Sequence, residues 1–190
     1  MREEERIYCI WLSKNLSKKR FAHVLSVVKE AERLARWNGA DIEKCRLAAL
    51  LHDCAKEMPL EEMQKICRRE HFEDLSERDL ENGEILHGFV ASVFVKESFG
   101  IQDEEVLEAI RYHTVGKAGM SLVGKIVYIA DAIEETRNYP SVDKIRKKTY
   151  EDLEQGILME IKHKLEYLSS TGAILHPNTL EWKKSLEEES

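Results

Sequence analysis

Side chains able to hold a metal ion or move a proton are spread thinly along this chain: His23, the adjacent pair His52-Asp53, and Asp131, with Lys56, His87 and His113 between them. Imidazole nitrogens and carboxylate oxygens together make a donor set suited to a divalent transition metal. The pair His52-Asp53 carries the strongest local argument. It follows the run Arg46-Leu47-Ala48-Ala49-Leu50-Leu51, apolar on almost every side and therefore a buried helix, and with Lys56 it brings an imidazole, a carboxylate and an ammonium into that interior. A charge buried without a partner is costly or is forced to neutralise, so a metal cation is one candidate partner. An Asp capping a helix end beside a solvated His is the other.

The remaining candidates have the same two-sided character. His23 and Val27 share the flank of an apolar stripe formed by Phe21, Val24, Leu25, Val28, Ala31 and Ala35. His23 is thus either a core histidine or one facing a second buried helix. His87 falls in the first turn of a helix, where free backbone N–H groups favour anions, so it is a phosphate-facing donor or a solvated polar residue. His113 follows Val106 and Ile110 on one face and comes at the inner end of its helix. Asp131 continues the series Val123, Val127 at i, i+4, i+8, where a surface acid has no place. It is a ligand or half of a buried salt bridge, with Arg137 as its partner or as a phosphate clamp. Lys56 is close enough in sequence to reach whatever His52 and Asp53 hold. His71 and His163 read as exposed.

Helices must position these groups. An amphipathic segment spans Ile7 to Leu16; Ser17 caps the next, which stops at Asn38-Gly39. Asp41 caps the helix leading to His52, Pro59 opens one reaching about Glu70, and His71 to Gly83 is a charged surface loop or short helix. Glu84 to Phe99 ends at Gly100; Asp103 caps a helix reaching His113, with Gly116 beyond it; another runs from Ser121 to about Glu135. Asp143 to Ser169 reads as one long helix with Ile145, Leu153, Ile157, Ile161, Leu165 and Leu168 in its stripe. The turn Ala173 to Asn178 then precedes a short helix containing Trp182. No stretch alternates like a strand for long and no repeat is visible, so the expected class is all-α, one domain over residues 1–190.

Composition narrows the functional classes. A formal net charge of −7 opposes duplex DNA or RNA binding, which needs an extended basic surface. The clusters Lys18-Lys19-Arg20 and Arg146-Lys147-Lys148 read as solvated helix faces, Arg20 alone being kept as a functional candidate. With 43% hydrophobic residues the chain can bury a substantial core, yet no apolar run reaches the roughly 20 residues that span a bilayer, so no membrane partner is expected. The segment Met1 to Arg6 lacks a secretory apolar region and the 4 cysteines form no C-x-x-C pair, so a cytoplasmic protein with reduced thiols is expected.

The order His23, His52-Asp53, Asp131 resembles the His…His-Asp…Asp signature of the HD-domain phosphohydrolases. Longer strings resemble their YqeK-type bacterial branch, the symmetrical diadenosine tetraphosphate hydrolases: Arg20-Phe21-Ala22-His23, Leu51 to Met58, Ile85-Leu86-His87-Gly88, Ala109 to Thr114, Ala118 to Ser121, Ile129 to Glu134 with Arg137, and Leu175 to Leu180. One departure is Glu135, where that branch usually has Pro, which puts the loop near Arg137 in question. The resemblance implies a compact helical bundle with a core over about residues 17–140, its C-terminal helices completing the pocket, and a homodimer. It implies cleavage of a dinucleoside tetraphosphate at its central anhydride to two nucleoside diphosphates, with iron as the metal; donor type alone also allows manganese, cobalt or zinc.

On that footing His23, His52, Asp53 and Asp131 hold the metal, and Asp53 or Asp131 accepts a proton from water. Lys56, Arg20 and Arg137 neutralise phosphates, while His87 and His113 donate to the phosphate chain, protonate the leaving diphosphate, or hold a second metal as in some other HD enzymes. His23 also lies where a nucleotide would pass. Thr114 and the turn from Gly172 through Ile174 and His176 are further nucleotide contacts. The competing readings are another HD phosphohydrolase acting on nucleoside phosphates or a guanosine alarmone, a non-catalytic nucleotide sensor, and a helical scaffold.

Overall fold

The protein was described as a computed structural model, which describes residues 3–188. Its helices are α1 (Glu3–Asn15), α2 (Lys18–Asn38), α3 (Ile42–Leu51), α4 (Leu60–Glu70), α5 (Gly83–Phe99), α6 (Glu104–Tyr112), α7 (Leu122–Ile133), α8 (Val142–Glu151), α9 (Leu153–Thr171) and α10 (Pro177–Glu188), with a 3-10 turn at Asp79–Glu81 before α5. No strand occurs among the described residues, as the all-α reading expects.

Side-chain caps set most of the starts. Ser17 accepts from the Arg20 N–H, Asp41 from Glu43 and Lys44, Asp103 from Glu105 and Val106, and Ser121 from Gly124. Each satisfies backbone donors that the helix cannot pair internally. Gly39 and Gly100 close α2 and α5 in the left-handed conformation that the sequence reading assigned to them as stops.

The core lies between α2, α3, α5, α6 and α7. Helix α3 packs on α2, α6 and α7, and α5 packs on α4 and α6. Cys45, Ala48, Ala49, Leu50 and Leu51 of α3 are buried, as is the run Ile126 to Ala130 of α7. Both α3 and α6 are buried along their core faces and deliver their C-caps, His52 and His113, into the interior. No described helix is long and apolar enough to cross a membrane.

The approach of α5 to α6 is closest at Gly88, where a Cβ would sit 2.6 Å from the Arg111 carbonyl oxygen and 3.3 Å from the His113 ring. Glycine at that point is what lets His87 and His113 lie side by side. We expect Gly88→Ala to lower stability by about 1–2 kcal/mol, because overpacking against backbone outweighs the roughly 1 kcal/mol gained in helix propensity. A urea midpoint at or above the wild-type value would contradict this.

Several expectations need correction. Residues 143–169 form two helices, α8 and α9, not one. The break is at Asp152, whose extended backbone (φ −159°, ψ 111°) and side-chain bond to the Gln155 N–H start a new helix. Gly156 then packs so closely on Thr149 that a Cβ would meet its Oγ1 at 2.3 Å. The break escaped notice because Ile145 and Leu153 are eight residues apart and fit a continuous stripe. Leu25 is 39% exposed: the buried face of α2 runs through Val24, Val27, Ala31 and Leu34 instead. His163 is partly covered, stacked on Tyr139 with ring centroids 4.9 Å apart. Arg146 does not belong to a solvated face. Its guanidinium donates to the carbonyls of Ile133, Glu134 and Arg137, fastening the chain that leaves α7.

Candidate metal and phosphate centre

Four side chains from α2, the end of α3 and α7 meet in the interior. His23 Nε2 lies 3.0 Å from Asp131 Oδ1 and 3.8 Å from Asp53 Oδ2, and His52 Nε2 lies 3.5 Å from Asp53 Oδ2 and 3.9 Å from Asp131 Oδ1. His87 and His113 join from the other side, with Nε2 atoms 3.3 Å and 3.7 Å from Asp53 Oδ1. Asp53 therefore faces both groups, one oxygen to each.

The tautomers follow from the second ring nitrogens. His52 Nδ1 is 2.7 Å from the Ala49 carbonyl, His113 Nδ1 is 2.7 Å from that of Ile110, and His87 Nδ1 is 3.2 Å from that of Gly83. A carbonyl oxygen only accepts, so each Nδ1 carries the proton and, in the neutral ring, each Nε2 presents a lone pair. His23 makes the equivalent bond to Glu134, its Nδ1 3.1 Å from the buried Oε1. Anchoring one ring nitrogen so that the other points at a shared position is how proteins prepare histidine for a metal.

This donor set fits a metal cation. His52 Nε2 is fully buried and has no hydrogen-bond partner, although all its neighbours are lone pairs or carboxylate oxygens. Electron-rich atoms at these separations repel until a positive charge lies among them. Burial by itself would raise the pKa values of Asp53 and Asp131. Without a metal a proton supplies that positive charge: the charge of a protonated His52 and hydrogen bonds from the histidines outweigh burial at Asp53, and the His23 bond with the Arg137 charge outweighs it at Asp131, so both stay well below the ordinary carboxylate range. Burial lowers His113 to about 4, so its ring is neutral at physiological pH.

Cations surround the ligands. Arg20 donates to Asp53 Oδ2 at 2.9 Å, Arg137 donates to Asp131 Oδ1 at 2.6 Å, and Lys56 Nζ sits 2.7 Å from Glu84 and 3.5 Å from His87 Nε2. Arg137 is the salt-bridge partner of Asp131 and also borders two cavities. Thr114 Oγ1 lies 3.1 Å from His113 Nε2 and 3.2 Å from His87 Nε2. Ile174 and His176 line a cavity of about 670 Å³ that also includes Thr114 and Arg137. The His176 ring is buried and committed, Nε2 to the Asp74 carbonyl at 2.8 Å and Nδ1 as acceptor from the Asn178 N–H. Gly172 is exposed as the C-cap of α9 and lies beside that cavity, not in its lining.

Three participants escaped sequence reading. Glu134 orients His23 and also accepts from Thr136; Arg146 fixes the loop carrying Arg137; Lys164, on α9, lines the 670 Å³ cavity and donates to the Thr114 carbonyl at 3.1 Å. Glu134 lies three residues past Asp131, a helical spacing that offered a signal. Arg146 and Lys164 offered none, being ordinary basic residues on charged helices. Glu135, the departure from the usual proline, is exposed and pairs with Lys29 without displacing the Arg137 loop from Asp131.

The helical bundle gathers histidines and aspartates from separated helices into a donor set able to hold a metal, and the comparisons supply the class, that of the HD-domain hydrolases. Residues 20–136 match the HD domain family, to which this chain belongs. It is 38% identical over 183 residues to the Bacillus subtilis (strain 168) protein named symmetrical bis(5'-nucleosyl)-tetraphosphatase, covering 94% of each chain. A Staphylococcus aureus protein of the same name is 42% identical over 136 residues, covering 71% of this chain and 69% of that one. The crystal structure of a predicted HD superfamily hydrolase involved in NAD metabolism from Clostridium acetobutylicum covers 100% of both chains at 39% identity, with a TM-score of 0.94. HD-domain hydrolases are metal-dependent, and the described site contains His/Asp groups able to hold a metal.

Proposed function

We propose that this protein hydrolyses diadenosine tetraphosphate symmetrically, giving two ADP. The observation that carries the reading is the convergence of His23, His52, Asp53 and Asp131, together with relatives of that name over most of the chain. These four side chains would hold the ion, and iron is the metal we assign. When bound, the ion supplies Lewis-acid polarisation of a phosphoryl oxygen and acidifies water beside it.

The protein's own residues then perform the rest. Water adds its oxygen to one of the two inner phosphorus atoms, the bridging P–O bond breaks, and the second ADP leaves with the bridging oxygen. Asp53 or Asp131, both held ionised, accepts the proton that water loses. Arg20 and Arg137 present planar forks to the phosphates and Lys56 a point charge, so the charge gathered by the transferred group is met without rearrangement. His87, beside Lys56, delivers a proton to the departing diphosphate. His113 serves as an acceptor, because burial leaves it no second proton at neutral pH.

One observation favours a second reading of that last pair. The Nε2 atoms of His87 and His113 are 2.9 Å apart with Asp53 Oδ1 nearby, a spacing that a second cation would also satisfy. The homodimer and cytoplasmic setting are part of the proposal. The exposed Ile7 and Ile10 of α1 support the first. Chromatography of the products after incubation with diadenosine tetraphosphate and iron tests the activity: ADP alone is expected, whereas AMP with ATP would refute central cleavage.

A further inference from the structure

The imidazoles of the centre follow one another around the Asp53 carboxylate. Ring centroids are separated by 5.8 Å from His23 to His52, 4.8 Å from His52 to His113, and 4.8 Å from His113 to His87. A cavity opens at each end. The 670 Å³ cavity reaches the His113 and His87 end through Thr114. A separate cavity of about 610 Å³ includes His23 in its wall, between the start of α2 and the loop after α7, and is lined also by Lys19, Arg20, Thr136 and Asn138. Arg137 lines both. Each volume falls within the roughly 300–1,000 Å³ of small-molecule pockets.

We infer that the cavity at the His23 end takes the second nucleoside of a dinucleoside polyphosphate, the first lying in the cavity bordered by Lys164 and Ile174; this rests on the hydrolase reading above. A substrate whose phosphate chain passes these imidazoles then has one nucleoside in each cavity. Arg137 meets the phosphates where the two cavities adjoin. The scissile bond is central because the reacting groups lie between two compartments of nearly equal size. The second cavity has chemistry for its occupant: Lys19 and Arg20 bring positive charge to the entry, the Asn138 amide can donate to and accept from ribose or a base edge, and the Thr136 hydroxyl, which gives its proton to Glu134, offers a lone pair. Two acids line it as well: Glu57 is tied to the backbone N–H and hydroxyl of Ser17 at 2.7 and 2.6 Å, and Glu134 is tied to His23 and Thr136. The two compartments are not equivalent, since Tyr167, Leu168 and Ile174 make the first more apolar.

The test compares diadenosine tetraphosphate with adenosine 5'-tetraphosphate, which has the same phosphate chain and one nucleoside. Filling the second cavity with Asn138→Trp lowers kcat/KM for the dinucleotide at least about 10-fold relative to the mononucleotide, the equivalent of roughly 1.4 kcal/mol lost at that compartment. Lys19→Glu, on an exposed position that does not threaten folding, shifts the same ratio in the same direction. A ratio unchanged within two-fold in both variants overturns the assignment. A wild-type protein that forms no ADP refutes the hydrolase reading instead. Calorimetry with ADP then decides the cavities: two molecules bound per wild-type chain and one per Asn138→Trp chain support the inference, and equal stoichiometry overturns it.

Discussion

Replacing His52 by alanine is expected to lower turnover of diadenosine tetraphosphate by about 10³-fold or more, which corresponds to roughly 4 kcal/mol of transition-state stabilisation. His52 is completely buried, held by Nδ1 to its own helix, and its Nε2 atom has no partner other than what the centre would hold. Its packing contacts are with His23 and His113, themselves members of the centre. The change also removes an imidazole crowded against carboxylates and a second ring, so the metal-free variant should melt close to the metal-free wild type. A variant with near-normal turnover would mean that the imidazole cluster is packing and not chemistry.

How much of this was legible in the sequence depends on the kind of signal. Helix starts were readable because caps are local: Ser17, Asp41, Asp103 and Ser121 each bond within three residues of themselves. His52 and Asp131 stood out because a polar group on an apolar face contradicts its surroundings, and that contradiction survives without any structure. Convergence was not readable from spacing, since Arg20 and Asp53 are 33 positions apart and His23 and Glu134 are 111 apart. What joined them on paper was the resemblance to HD-domain enzymes. The break at Asp152 and the anchoring of Arg146 were hidden because both depend on long-range packing, Gly156 on Thr149 in one case and the carbonyls at the end of α7 in the other.

Arg137 carries the second large expectation. Its guanidinium donates to the backbone and the carboxylate of Asp131 and borders both cavities, so it orders a proposed ligand and faces the phosphate path together. Arg137→Ala should reduce kcat/KM by about 10²-fold, near 2.7 kcal/mol, within what hydrogen bonds to charged groups contribute. Arg137→Lys should restore only part of this, because a lysine gives one point charge where the fork makes parallel bonds. Full rescue by lysine would show that charge alone matters, and equal loss in Arg146→Ala, which frees the loop but keeps the guanidinium, would assign the effect to positioning.

Elemental analysis of purified protein measures directly whether one ion is held between α2, the end of α3 and α7. The wild type, prepared without chelator and loaded with iron, is expected to retain the metal through desalting, and His52→Ala is expected to lose at least one equivalent per chain under the same treatment. Equal metal content in the two proteins would contradict the proposed centre.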